Sequence, residues 1–177
     1  MARILIIYST TDGHTREICQ RLSKVIEAQD NQNEVKLISI NHGQDIEVDN
    51  FDKIVVGASI RYGKHRPQVH EFVNKYEKIL DSKPNAFFSV NVVARKPEKN
   101  QPDTNPYLLK FLKQVSWRPK ELAVFAGKID YPSYTFWDRL MIRLIMWITK
   151  GPTDPKTIIE LTDWNKVEAF GKVISNM

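Results

Sequence analysis

A chain of 177 residues, 42% apolar and 27% charged, can bury one sizeable core and is too apolar for a disordered or fibrous protein. Its net charge of +5 favours anionic partners, and a lone cysteine, Cys19, excludes a disulfide framework and suits a reducing compartment. No run of about 18 apolar residues suggests a spanning helix, and the start, MARILIIYSTTDGHT, lacks the form of a secretory signal, so a cytoplasmic location is expected, with a membrane surface still within reach.

Short apolar runs alternate with helix-period segments. Ile4 to Tyr8 reads as a buried strand, and Thr15 to Gln29 as a helix with Ile18, Leu22, Val25 and Ile26 on one face. Strands follow at Glu34 to Ile40 and Lys53 to Ser59. Pro67 to Leu80 has proline at a helix start and Val69, Phe72, Val73, Tyr76 and Leu80 at helical spacing. Asn85 to Val93 is a fourth strand, PEKNQPDTNP (97–106) an exposed loop, Tyr107 to Gln114 a helix, and Leu122 to Gly127 a fifth strand. Residues 129–155 break the alternation and read as a helical insertion before a short strand piece at Ile158 to Leu161. Asp163 to Ile174 is the last helix, capped by Thr162 or Asp163.

This order predicts one α/β domain over 1–177, a three-layer sandwich around a parallel sheet. Ligands in such sheets sit beyond the carboxyl ends of the strands. The rule nominates three loops: Ser9 to Thr15, Ser59 to Arg66 and Asn91 to Asn100.

Two readings of the first loop, STTDGHT, fit its spacing. Thr11 or Asp12 caps the following helix, or the helix N-terminus, hydroxyls and a yielding glycine cradle an anion. The stretch lacks GxGxxG and GK[ST]. It resembles the phosphate loop of flavodoxins: Ile6, Ile7, Tyr8, any residue, Thr10, two residues, Gly13, any residue, Thr15, with Ile18 where alanine is common. That resemblance implies FMN as cofactor and strand order 2-1-3-4-5. It places the phosphate among Ser9, Thr10, Thr11, Asp12, Gly13, His14 and Thr15. It places the ring between Ser59, Ile60, Arg61, Tyr62 and Gly63 on one side and Ser89, Asn91, Val92, Val93, Ala94 and Arg95 on the other.

Longer blocks narrow the likeness. GASIRYGKHR (57–66), SVNVVARKPEKNQPDTN (89–105), WRP (117–119), DRLMIRLIM (138–146) and TDW (162–164) resemble the flavodoxin-like, menaquinone-dependent protoporphyrinogen IX dehydrogenases. Membership would imply oxidation of protoporphyrinogen IX to protoporphyrin IX in haem biosynthesis, with electrons passing through FMN to menaquinone or ubiquinone. A macrocycle with two propionates needs cations beside apolar surface. Arg61 and Arg95 are the expected grips, Tyr62 a stacking ring, and His65 a proton acceptor. Lys99 reads as a solvated charge. His14, His42, His65 and His70 have no metal-binding spacing.

The insertion offers the quinone half. Around a helical wheel over Tyr134 to Lys150, Arg139, Arg143 and Lys150 share one sector opposite Phe136, Trp137, Leu140, Met141, Leu144, Ile145, Trp147 and Ile148. Such a helix suits a membrane surface, or it docks on the sheet or on another subunit in a homo-oligomer. A flavodoxin-type electron carrier or another FMN-dependent quinone reductase is the alternative function. A nucleic-acid binder is disfavoured, because the aromatics do not interleave with the basic residues.

Overall fold

The computed structural model describes residues 2–177, and the side chains of these except 43–45. The unbroken apolar runs become the centre of a parallel sheet buried on both faces, as the absence of a polar alternation requires. Its strands are β1 (Arg3–Ser9), β2 (Glu34–Ser39), β3 (Lys53–Ser59), β4 (Asn85–Val90) and β5 (Glu121–Phe125). They lie in the order β2-β1-β3-β4-β5, as expected. Ile6 of β1 sits opposite Leu37 and Val55.

Strand alternation divides the core in two. Ile4, Ile6, Val55 and Phe88 face helices α1 (His14–Gln29) and α6 (Trp164–Asn176), meeting Ile18, Leu22 and Phe170. Leu5, Ile7, Val56 and Phe87 face α2 (Pro67–Lys75), α3 (Glu77–Ser82) and α4 (Pro106–Gln114), meeting Val73, Leu80, Phe111 and Trp117. Gly57 in β3 has a packing reason: a Cβ there would lie 2.1 Å from Cζ of Phe88, its partner in register on β4.

Several boundaries differ from the sequence expectation by a residue or two, and two differ by more or for a visible reason. The helix expected over 67–80 breaks at Tyr76 (φ −107, ψ 14), although Phe72, Val73 and Leu80 keep facing the core through the break. The fourth strand ends at Val90 rather than Val93, because the Asn91 side chain accepts from Ala94 N and turns the chain. The first helix starts at His14, one residue early.

After β5 the chain leaves the sheet. β6 (Lys128–Asp130) and β7 (Ile158–Glu160) form a separate antiparallel pair, and between them lies α5 (Phe136–Ile148). Ile129, Tyr131, Tyr134 and Met146 give this excursion a small core of its own. Its neck is closed by Leu161 N donating to Gly127 O at 3.1 Å. β6 is three residues long, too short for any sequence period to announce it. Asp163, not Thr162, caps α6, accepting from Lys166 N.

Candidate active site

β1 delivers the first loop to the N-terminus of α1. The N-cap position is Gly13, left-handed at φ +86, and among the described residues no side chain caps the first turn. Neither Thr11 nor Asp12 caps the helix, so its first N–H groups keep their donor capacity and positive field. Thr10 Oγ1 accepts from Gly13 N at 3.0 Å, which curls the loop. Thr11 Oγ1 accepts from Nη2 of Arg66 at 3.1 Å, which brings a cation onto it. Ser9 is in step with Leu5 and Ile7, so its hydroxyl points to the face of the sheet opposite α1, buried with no hydrogen-bond partner among the described residues. Burial pushes the Asp12 carboxyl upward, against the pull of Arg61. The His14 ring turns from the loop toward Thr162 and Trp164.

The second loop is a tight two-residue turn, with Arg61 and Lys64 exchanging backbone hydrogen bonds of 3.0 and 3.2 Å. Both central residues are left-handed, Tyr62 at φ 50 and Gly63 at φ 76. For a bulky tyrosine that conformation costs on the order of 1 kcal/mol. It holds the Tyr62 ring, 51% exposed, at the rim, with the Arg61 guanidinium 5.4 Å from its centroid. Both residues reach Asp138 of α5, whose carboxylate accepts from Arg61, from Tyr62 Oη and from Thr135 Oγ1. These donors, Arg61 foremost, hold Asp138 down to about 2.

The third loop is fixed from behind. Asn91 and Asn105 exchange side-chain hydrogen bonds of 3.3 and 3.0 Å, and Asn91 also donates to Ser89 Oγ. Ala94 is buried in the core. Arg95 donates to Val92 O, Thr149 O and Thr149 Oγ1, all at 3.0–3.1 Å. Its guanidinium therefore ties the loop to the C-terminal end of α5 and does not line the cleft. His65 also stands outside the cleft lining. Its Nε2 lies 3.1 Å from Ser89 Oγ, and its ring is wedged between Phe87 and Phe111. Burial lowers it to about 3, which keeps the ring neutral near pH 7, and it does not line the cleft.

The three loops and the inner face of α5 enclose a cleft of about 190 Å³. Thr10, Thr11, Asp12, His14 and Thr15 line it from the first loop; Ser59, Ile60, Arg61, Tyr62 and Gly63 from the second; Asn91, Val92 and Val93 from the third. Asp138, Ile142, Ile145 and Met146 of α5 form the roof, with Tyr107 and Tyr134 at the sides. Of the residues expected here, Ser9, His65, Ser89, Ala94 and Arg95 stand behind the wall, and Gly13 shapes the backbone.

A family profile described as a flavodoxin domain matches residues 5–156. Protoporphyrinogen IX dehydrogenase (quinone) of Escherichia coli strain K12 is 43% identical over 175 residues, covering 99% of this chain and 96% of that protein. The Leishmania major protein of the same name is 40% identical over 168 residues, covering 95% of this chain and 72% of its own length. The chain belongs to the flavodoxin-like protoporphyrinogen IX dehydrogenase family. Among solved structures, the two-electron reduced flavodoxin of Megasphaera elsdenii superposes with a TM-score of 0.57 at 12% identity, covering 98% of this chain and 99% of that one. A WrbA-like flavodoxin from Agrobacterium tumefaciens gives 0.56 at 13%, covering 99% and 96%. These two share the fold.

Within this family member, α5 turns its aromatic side outward. Phe136, Trp137 and Trp147 are 71%, 70% and 72% exposed, flanked by exposed Leu140, Leu144 and Ile148. The face that sequence reasoning left free to dock on the sheet meets solvent instead. Arg139 and Arg143 fold back onto carbonyls of Tyr131 and Thr153, bracing the insertion. Among the described residues no helix is long and apolar enough to cross a membrane. Asp138, Tyr107, Tyr134 and Met146 escaped sequence reasoning at this site; a carboxylate on an otherwise apolar face was the one signal available for Asp138.

Proposed function

We propose that this protein oxidises protoporphyrinogen IX to protoporphyrin IX, with FMN as resident cofactor and a quinone as electron acceptor. The observation that carries the reading is the cleft itself. One end is an uncapped helix N-terminus with Arg66 held on its loop, the other a rim of Arg61 and Tyr62, in a chain 43% identical to a dehydrogenase of that name.

The residues fit FMN. A phosphate suits the first loop, where α1 supplies N–H donors, Thr10, Thr11 and Thr15 supply hydroxyls, and Arg66 supplies charge. When bound, FMN supplies a two-electron acceptor for the substrate and a donor for the quinone. The chain contributes position and environment. Val92, Val93, Ile142 and Ile145 give the cleft apolar walls that exclude water, Tyr62 offers a ring at the rim, and Arg61 receives a propionate. No protein nucleophile is required.

The outer face of α5 lies on the membrane surface, where a lipid-soluble quinone dissolves. Its exposed tryptophans and phenylalanine have the chemistry of an interfacial helix. The test is anaerobic: protoporphyrin fluorescence should appear from protoporphyrinogen only when menaquinone or ubiquinone is added. A flavin-loaded protein that leaves the substrate unoxidised with every quinone would overturn the reading.

A further inference from the structure

Two polar ties pin α5 over the cleft. Near its N-terminal end Asp138 bonds Arg61 and Tyr62; at its C-terminal end Thr149 bonds Arg95. Between them the roof is apolar. With both ties made, the cleft measures about 190 Å³, below the roughly 300–1,000 Å³ of ordinary ligand pockets. A flavin ring and a tetrapyrrole together need more room than that, which a lifted roof would supply.

The two ties differ in what can undo them. Arg95 holds neutral carbonyls and a hydroxyl, and is turned away from the cleft. Arg61 lines the cleft and holds a carboxylate, the same group that a propionate arm carries. Replacing one carboxylate with another conserves charge and hydrogen bonds, so the exchange costs little. It also frees the end of α5 nearest the rim, where Tyr62 stands half exposed.

We propose that Asp138 is an internal stand-in for a substrate carboxylate on Arg61: a propionate of the incoming tetrapyrrole takes its place, and Asp138 withdraws with the first turns of α5. Asp138 is then a positioning residue that sets affinity by competition, and entry of substrate is coupled to opening of the roof. This rests on the substrate reading above. Thr135, which caps α5 and donates to Asp138, stays with the carboxylate when it withdraws.

The test is binding of protoporphyrin IX, the free dicarboxylate, and of its uncharged dimethyl ester to the FMN-loaded protein. Asp138→Asn removes the competing charge and keeps the shape. It should bind the free acid about two- to fivefold tighter, the scale of one partly exposed ion pair. Its affinity for the ester should not change, and KM for protoporphyrinogen should fall without a matching fall in kcat. A merely structural role would weaken binding instead. In the wild type, the free acid should speed trypsin cleavage after Arg139, and the ester should not. Free-acid affinity that is unchanged or weaker in Asp138→Asn overturns the exchange. Should that variant fold poorly, Arg61→Gln decides: it should bind acid and ester alike, and a persisting preference for the acid overturns the proposal. Tighter binding without turnover would overturn the activity reading and leave the exchange standing.

Discussion

The imidazole of His14 and the hydroxyl of Thr162, 148 positions apart in sequence, meet at 2.6 Å. Thr162 donates its own proton to Ala126 O at 2.8 Å, so Nε2 of His14 is the donor in the pair. The first residue of the cofactor-side helix is thereby fixed to the end of β5. Thr162→Val strands the Nε2–H and should cost about 1–3 kcal/mol of stability in urea denaturation, the penalty for an unsatisfied buried donor. FMN titration of the same variant should show a raised Kd. A variant unchanged in both respects would mean that α1 is placed by packing alone.

Arg66 and Thr15 are expected to act on the phosphate and not on the ring. Thr15→Val should lose about 1.5–3 kcal/mol of FMN affinity, the worth of a hydrogen bond to a charged group. Arg66→Gln should likewise weaken FMN while leaving riboflavin, which has no phosphate, almost unaffected. Titrating both flavins against each variant separates the contributions. Equal losses for the two flavins would remove these residues from the phosphate cradle.

His65 makes stability depend on acid in a defined direction. Burial lowers its folded-state value from 6.5 to about 3, with His70 adding a smaller push. As pH falls below 6.5 the unfolded chain takes up a proton that the folded chain refuses. The stabilising contribution is therefore complete above 6.5 and drains away toward pH 3, with a slope of up to about 1.4 kcal/mol per pH unit. His65→Gln keeps a hydrogen-bonding partner near Ser89 and should make denaturation midpoints flatter with pH by about one proton's worth. The pH profile of kcat/KM near neutrality should keep its shape. A lost limb there would restore His65 as the proton acceptor.

Leu144→Glu with Trp147→Glu places two charges on the outer face of α5. Both side chains are exposed, 49% and 72%, so stability should change by no more than about 0.5 kcal/mol per site. Co-sedimentation with anionic vesicles should fall sharply, while oxidation of protoporphyrinogen with a water-soluble quinone persists. Undiminished vesicle binding by the folded variant would place the membrane contact elsewhere.

The sheet is legible in the sequence because Ile4 to Tyr8 and Ile54 to Ala58 are unbroken runs without a polar side chain, a pattern set by burial on two faces. The ligand loops follow from strand direction, and most of the cleft lining follows from the loops. What no local pattern encodes is the meeting of distant side chains. Arg61 and Asp138 are 77 positions apart, and the helix carrying Asp138 reads as an apolar stripe in which a single carboxylate has no visible partner. Arg95 and His65 carry the residue chemistry of a site, but Thr149 engages the first and a cage of Phe87 and Phe111 hides the second. Packing decided both. The break at Tyr76 escapes for a related reason, since the helical period of the apolar side chains runs through it.

The neck at Gly127 and Leu161 has a consequence for how such a protein is assembled over evolutionary time. Departure and return lie one backbone hydrogen bond apart, and Thr162 is bonded to Ala126 just beside it. A chain joined directly from Gly127 to Thr162 would leave every strand of the parallel sheet untouched. The roof is thus a unit that one deletion would remove with the sheet left whole, so the carrier fold and the cover over its cleft are separable parts of one chain.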